Sequence, residues 1–228
     1  MTRAAALDPL IAACRARLAR LRADRSPTGG AAAAAGWAGV PQEAACFRDG
    51  LVWRTEELGR CACDCYGRGD TVAAVILTRG VIEDTAALWY LKALMRRTLD
   101  AGPVQDRDVV EAAFMALLVG RKDGPHGAPR GVNVLTMLRH LEKDRPDFGT
   151  LYDALCEIAH PSGAGTAGAY GGLVDDGGTS AEAGHLAETG LGFLLRALDL
   201  FEALHAEVTA LLPALAALWA ALPDRPAR

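Results

Sequence analysis

The sequence predicts an all-α fold: a helical bundle of six to seven helices with an N-terminal amphipathic helix and a glycine-rich loop. Alanine and leucine dominate the composition, and runs of valine and isoleucine are scarce, which favours helices over sheets. Apolar residues recur at helical spacing in several long segments, which glycine and proline separate. With 228 residues, 51% of them hydrophobic, the chain can bury a core without disulfides or metals.

The N-terminal region is predicted to be a helix followed by a connector. Residues 5–24 combine apolar residues at helical spacing with a series of arginines, which indicates an amphipathic helix with one basic side. That side is either a solvated surface or an arm that faces phosphate groups. The connector, 26–41, is rich in glycine and alanine and can form one helical turn. We therefore divide the chain into residues 1–41, the helix and its connector, and a helical bundle over 42–228.

Two long helices are predicted next. Residues 42–66 show a helical pattern with an interruption near Gly50. Residues 71–99 form the clearest long helix, which a side-chain oxygen of Asp70 or Thr71 can cap. The sequence Ala-Gly-Pro then ends this helix.

The pattern of apolar residues then predicts three shorter helices. The first covers 104–119 and leads into a loop, 120–131, that carries four basic residues. Asn133 is expected to cap the second helix. Pro146 sits where the first turn of the third helix tolerates it, and that helix ends at His160.

A glycine-rich loop over 161–180 precedes the final helix, which Ser180 is expected to cap. Gly190 and Gly192 are expected either to bend this helix or to admit a close neighbour. The helix is very apolar, but charged residues interrupt it at intervals, so we expect no contact with a membrane.

The charge and cysteine content narrow the range of functions. The formal net charge of −4 creates no overall field that would draw the chain to nucleic acid. The N-terminus lacks the pattern of a signal peptide, so we expect a cytoplasmic protein whose six cysteines are reduced.

Two motifs suggest a cofactor only superficially. Cys61, Cys63 and Cys65 alternate, but on a helix Cys63 points away from the other two, so the three cannot converge on one metal ion. Small buried thiols are the simpler interpretation. The sequence GAGTAG at 163–168 matches a dinucleotide-binding pattern, but it follows a helix instead of a strand. No cofactor is therefore expected.

A helical carboxylate–histidine metal site is one alternative, because the motif Glu-x-x-His occurs twice, as it does in helical di-iron proteins. The ligands of such a site would be Glu83, Glu111, Glu157, His160, Glu202 and His205.

The stretch LYDALCEIAHPSG, at 151–163, predicts a helix that ends on His160. The helix dipole favours a charged histidine at that end, which is a sufficient structural reason for it. If the long helix at 71–99 lies alongside, Arg79 can approach His160, and such a pair can bind a phosphate and move a proton. The candidate catalytic residues are His160, Arg79, Glu157, Tyr152 and Glu83.

Two stretches resemble a family of bacterial helical proteins: LTRGVIEDTAALWYL, at 77–91, and NVLTMLRHLEKDRPDFGTLYDALCEIAHPSGAG, at 133–165. The resemblance covers roughly residues 70–175. That family is similar in turn to HEPN domains, which are helical bundles of toxin–antitoxin and phage-defence systems. Many HEPN proteins are dimeric, metal-independent ribonucleases with the signature R-x-x-x-x-H.

The resemblance implies a homodimer with a regulatory or defence-linked role, directed at RNA, at a nucleotide or at a protein partner. In an enzyme, His160 would be the general base on an RNA 2′-hydroxyl, and Arg79 would steady the phosphate. This chain has Leu155 where the signature places its arginine. The alternative is a non-catalytic interaction module in which Arg79 pairs with Glu83 or Glu157 inside the bundle.

Overall fold

A computed structural model describes residues 3–25, 30–118, 131–161, 163, 165–166 and 181–223, and these residues confirm the predicted all-α bundle. The described residues form eight α-helices: α1 (Arg3–Ala23), α2 (Gly30–Ala34), α3 (Val40–Arg68), α4 (Thr71–Ala101), α5 (Arg107–Leu118), α6 (Val134–Asp144), α7 (Pro146–Ala159) and α8 (Ala181–Ala221). A short 3-10 turn over Gly102–Val104 separates α4 from α5.

The helix α8 packs most extensively against α4 and also against α1 and α3. Its residues at spacings of three and four share one face, and the members of that row are fully buried: Leu191, Leu194, Leu198, Phe201 and Leu204. Among the described residues, Gly184–Ala221 is the one segment long and apolar enough to cross a membrane by length and composition. The same segment supplies this row of the bundle core.

The helix α1 is part of the same core, although it precedes the predicted boundary at residue 41. Its buried row packs against α3 and α8: Leu7, Ile11, Cys14, Leu18 and Leu21. Three arginines of α1, and Arg25 just after it, pair with carboxylates on those two helices: Arg15 with Asp64, Arg17 with Asp199, Arg20 with Glu202 and Arg25 with Glu56. The basic side of α1 is therefore solvated in part, as one interpretation predicted, because Arg15 and Arg20 are more than half exposed, and it also supplies contacts between helices.

The helix α3 runs without a break, so the predicted interruption near Gly50 is wrong. A helix tolerates one glycine at a cost of about 1 kcal/mol relative to alanine, and tertiary packing offsets such a cost. The helix ends instead at Gly69, whose positive φ of 86° suits a residue without a side chain. Its N–H donates to the carbonyl of Tyr66 at 3.2 Å.

The predicted helix caps have mixed outcomes. Asn133 caps α6 as predicted, because its side-chain oxygen accepts the N–H of Leu135 at 2.9 Å. Asp70 precedes α4, but its carboxylate accepts a hydrogen bond from Nε of Arg68 and makes no capping bond. The hydroxyl of Thr71 donates to the carbonyl of Gly69 instead, so neither predicted cap forms. The predicted cap Ser180, the basic loop at 120–130 and most of the glycine-rich loop lie outside the described residues.

Gly190 admits a close neighbour, which is one of the two roles that the sequence left open for it. A Cβ built there would lie 2.1 Å from the hydroxyl oxygen of Tyr66, a buried residue of α3. That hydroxyl is held 3.1 Å from the hydroxyl of Thr78 on α4. Gly190 therefore allows α8, α3 and α4 to meet at one point, whereas a Cβ on Gly192 would meet no atom within 4 Å.

Candidate functional site

The helix α7 brings its tyrosine to the surface of α4. It packs against α4 and α6 through residues that share one helical face: Phe148, Leu151, Tyr152 and Leu155. Tyr152 is the one member of this face with a polar group, and its hydroxyl reaches α4 at the level of Glu83.

Three of the five candidate catalytic residues form one hydrogen-bonded group, which we name the α4–α7 cluster. Oε1 of Glu83 accepts a hydrogen bond from Nε of Arg79 at 3.1 Å and another from the hydroxyl of Tyr152 at 3.0 Å. The Arg79 guanidinium carbon lies 5.6 Å from the centre of the Tyr152 ring, within cation–π range. Arg79 and Glu83 are four residues apart on α4, so the helix itself holds them adjacent.

The electrostatics of the cluster keep Tyr152 protonated and Arg79 charged. Burial and the neighbouring carboxylate of Glu83 raise the pKa of the Tyr152 phenol. Burial acts to lower the pKa of Arg79, but the neighbouring Tyr152 and the carboxylate of Glu83 together outweigh that effect and raise it. Tyr152 is therefore a hydrogen-bond donor at neutral pH and is not available as a general base.

The other two candidate residues do not join this cluster. His160 is exposed at the end of α7, and its backbone N–H donates to the carbonyl of Cys156 at 3.0 Å. Among the described residues, no hydrogen bond or ion pair links its side chain to Arg79. Glu157 is also exposed and follows Tyr152 by five residues, which places it about 140° around the helix.

The six proposed metal ligands do not form a metal site. Among the described parts of the chain, no group of three or more His, Cys, Asp or Glu side chains could hold a metal ion. Glu83 belongs to the α4–α7 cluster, and Glu202 pairs with Arg20 of α1. Burial and the nearby charge of Arg48 lower the pKa of His205, and a cationic neighbour also disfavours a metal there.

The cysteines behave as the simpler interpretation predicted. The thiols of Cys63 and Cys65 are buried on α3, and the Cys61 side chain is half-buried. The neighbouring Cys63 thiol and burial raise the pKa of the Cys14 thiol. Cys14 in turn donates to the carbonyl of Leu191 at 3.8 Å. These thiols contribute to the contact between α1, α3 and α8.

One polar contact between α3 and α4 was not predicted. Asp84 is 4% exposed, and its carboxylate accepts hydrogen bonds from Nε of Arg54 at 2.8 Å and from the hydroxyl of Thr55 at 3.3 Å. Burial raises its pKa to about 7, although Arg54 and Thr55 both act to lower it. The sequence does indicate this burial, because Asp84 follows Val81 by three residues and precedes Leu88 by four. This spacing places the three residues on one face of α4.

Comparisons of this chain with protein-family models, curated proteins and solved structures find no match. The relation to HEPN domains is therefore a prediction supported by two sequence stretches. Inferences about function depend on the geometry of the described residues, above all on the α4–α7 cluster.

Proposed function

We propose that this protein is a HEPN-like helical interaction module with a regulatory or defence-linked role, and that the α4–α7 cluster is structural. The observation that carries this proposal is the use of Glu83 as a shared acceptor for Arg79 and Tyr152. The groups that a nuclease would direct at its substrate instead join two helices. Such a module needs a stable surface rather than reactive groups.

The position of Leu155 supports the same proposal. It occupies the place of the arginine in the ribonuclease signature, and it is 1% exposed within the core. An arginine there would place a charge among apolar side chains, which is costly without a partner. Arg79, the substitute that the sequence suggested, already pairs with Glu83. The exposed His160 therefore has no arginine partner among the described residues.

An RNA-cleavage assay tests the non-catalytic character of the module. Purified protein and its His160→Ala variant are incubated with single-stranded and structured RNA without added metal. We expect equal and negligible cleavage by both proteins. Cleavage by the wild type that disappears in His160→Ala would overturn the proposal.

A second candidate function, binding of RNA or a nucleotide without cleavage, is favoured by the exposure of Arg79. Its side chain is 32% exposed and remains charged, so a phosphate can reach it. Fluorescence anisotropy with a labelled single-stranded RNA would measure this. Binding through Arg79 should weaken in Arg79→Ala and should persist in Arg96→Ala, which removes another partly exposed arginine of α4. Equal losses in the two variants would indicate only general attraction to positive charge.

We also propose that the module is a homodimer, as the resemblance implies. Size-exclusion chromatography with light scattering should give twice the mass of one chain, which is 23.9 kDa. A mass equal to one chain at micromolar concentration would contradict a stable dimer.

A further inference from the structure

A groove between α3 and α5 has the size of a small-molecule site. Its volume is ≈ 660 Å³, within the range of about 300–1,000 Å³ that such sites have. The α3 side of this α3–α5 groove consists of residues that recur every three to four positions, and the α5 side of two residues one turn apart. The lining residues are Gln42, Glu43, Cys46, Phe47, Gly50, Leu51, Arg54, Met115 and Leu118.

The walls of the groove are mainly apolar. Phe47, Met115 and Leu118 are half-buried, and Leu51 is buried beneath them. A methionine side chain is flexible and polarisable, so it adapts to ligands of different shape. Such a lining stabilises an apolar body by removing its surface from water.

One end of the groove carries a guanidinium that is already held in position. Nε of Arg54 donates to the buried carboxylate of Asp84, which also accepts the hydroxyl of Thr55. The Nη groups of Arg54 have no hydrogen-bond partner among the described residues, and the side chain is 58% exposed. A guanidinium fixed through Nε can still bind a carboxylate through its Nη groups. Its preorganisation lowers the entropy cost of binding.

The short α5 wall of the groove favours a small molecule over a partner helix. Among the described residues, Met115 and Leu118 form the α5 wall, and they are three residues, or about 4.5 Å, apart along the helix. A helix that docks in a groove contacts it through anchor side chains that span at least seven residues, or about 10 Å. Glu43, the one acidic residue among the described lining residues, lies eleven residues from Arg54, about 16 Å along α3, and so does not oppose an anion at Arg54.

Gly50 keeps the middle of the groove open. A Cβ at this position would meet no atom within 4 Å, and the residue lies within a regular stretch of α3. A larger side chain can therefore enter the groove without displacing the core. This position offers a direct way to fill the groove in an otherwise folded protein.

We propose that the α3–α5 groove binds a small amphiphilic anion, whose apolar body lies along Phe47, Met115 and Leu118 and whose carboxylate-like head binds Arg54. The groove uses none of the residues of the α4–α7 cluster, so this proposal is independent of the proposed function. It names a ligand class with one negative charge and an unbranched or flat apolar body.

Isothermal titration calorimetry with decanoate tests the apolar part of the site. We expect saturable binding to the full chain with one decanoate per groove. Gly50→Leu should weaken it at least tenfold, because the new side chain occupies the groove. Gly50→Ala and Gly192→Leu should bind within twofold of the wild type, since the first adds little volume and the second changes a glycine of α8 that has similar free space. Melting curves verify that each variant is folded.

The identity of the head group is tested with decanol and decyltrimethylammonium. Decanoate should bind at least tenfold more tightly than either of them, and Arg54→Gln should remove this preference. Because Arg54→Gln leaves Asp84 without its cation, the double variant with Asp84→Asn is measured as well and should behave alike. Absence of saturable decanoate binding, undiminished binding to Gly50→Leu, or equal binding of the three compounds would each overturn the proposal.

Discussion

Replacing Asp84 with asparagine should remove a large part of the pH dependence of stability between about pH 4 and pH 7. Burial raises the pKa of this carboxyl in the folded protein from 3.8 to about 7. The folded state therefore holds the proton more tightly than the unfolded state does, and protonation stabilises the fold. This stabilisation is fully present below pH 3.8 and is lost as the pH rises through about 7.

The size of the effect follows from the two pKa values. A rise from 3.8 to about 7 corresponds to about 4 kcal/mol, at 1.36 kcal/mol for each pKa unit. Asparagine has almost the same shape and stays neutral: its amide oxygen can accept from Nε of Arg54 in place of Oδ1, and its amide NH2 can donate to the Thr55 hydroxyl in place of Oδ2. At pH 8, Asp84→Asn should therefore match or exceed the wild type in its free energy of unfolding. Near pH 4, where Asp84 is protonated in the folded wild type, the free energies of unfolding of the two proteins should be close to each other.

Urea unfolding followed by circular dichroism, at intervals from pH 4 to pH 8, measures both proteins. The difference between their free energies of unfolding isolates Asp84 from other titrating groups. Asp199→Asn is the matched control, because Asp199 forms a surface ion pair with Arg17, and such a pair contributes at most about 1 kcal/mol. Parallel curves for the wild type and Asp84→Asn would refute the assignment of a buried, high-pKa carboxyl to this position.

Two further substitutions test the packing of individual side chains. Tyr152→Phe removes one hydrogen bond to the carboxylate of Glu83 and should lower the free energy of unfolding by about 1.5–3 kcal/mol. Urea unfolding measures this difference. A change below about 0.5 kcal/mol would mean that this bond does not hold α7 to α4. Gly190→Ala places a methyl group against the hydroxyl of Tyr66 and should cost about 1–3 kcal/mol. Gly192→Ala has free space and should instead stabilise α8 by up to about 1 kcal/mol, so equal melting temperatures for the two alanine variants would contradict the close contact.

Local patterns were reliable for helix identity and for some helix ends. The cap at Asn133 involves a residue only two positions away, so its chemistry is visible in the sequence. The predicted interruption at Gly50 failed for the opposite reason. A lone glycine weakens a helix by an amount that the packing of α3 against α4, α1 and α8 exceeds, and the glycine itself does not reveal that packing.

In the candidate site, too, contacts within one helix could be predicted from the sequence and contacts between helices could not. The pair of Arg79 and Glu83 follows from a spacing of four on one helix. Its third member, Tyr152, lies 69 residues from Glu83, so it depends on how α7 rotates against α4. That rotation places His160 and Glu157 outside the cluster, although their spacing along the chain had suggested that they belong to it.

The sequence by itself determined that this chain is a helical bundle, because hydrophobic periodicity and helix-ending residues act over a few positions. Only the tertiary structure decided which polar groups are paired. The contact of Arg17 with Asp199 spans 182 residues, and the burial that raises the pKa of Asp84 depends on packing between helices. Both depend on which helix faces meet, and that choice minimises the exposed apolar surface of the whole chain rather than of any one segment.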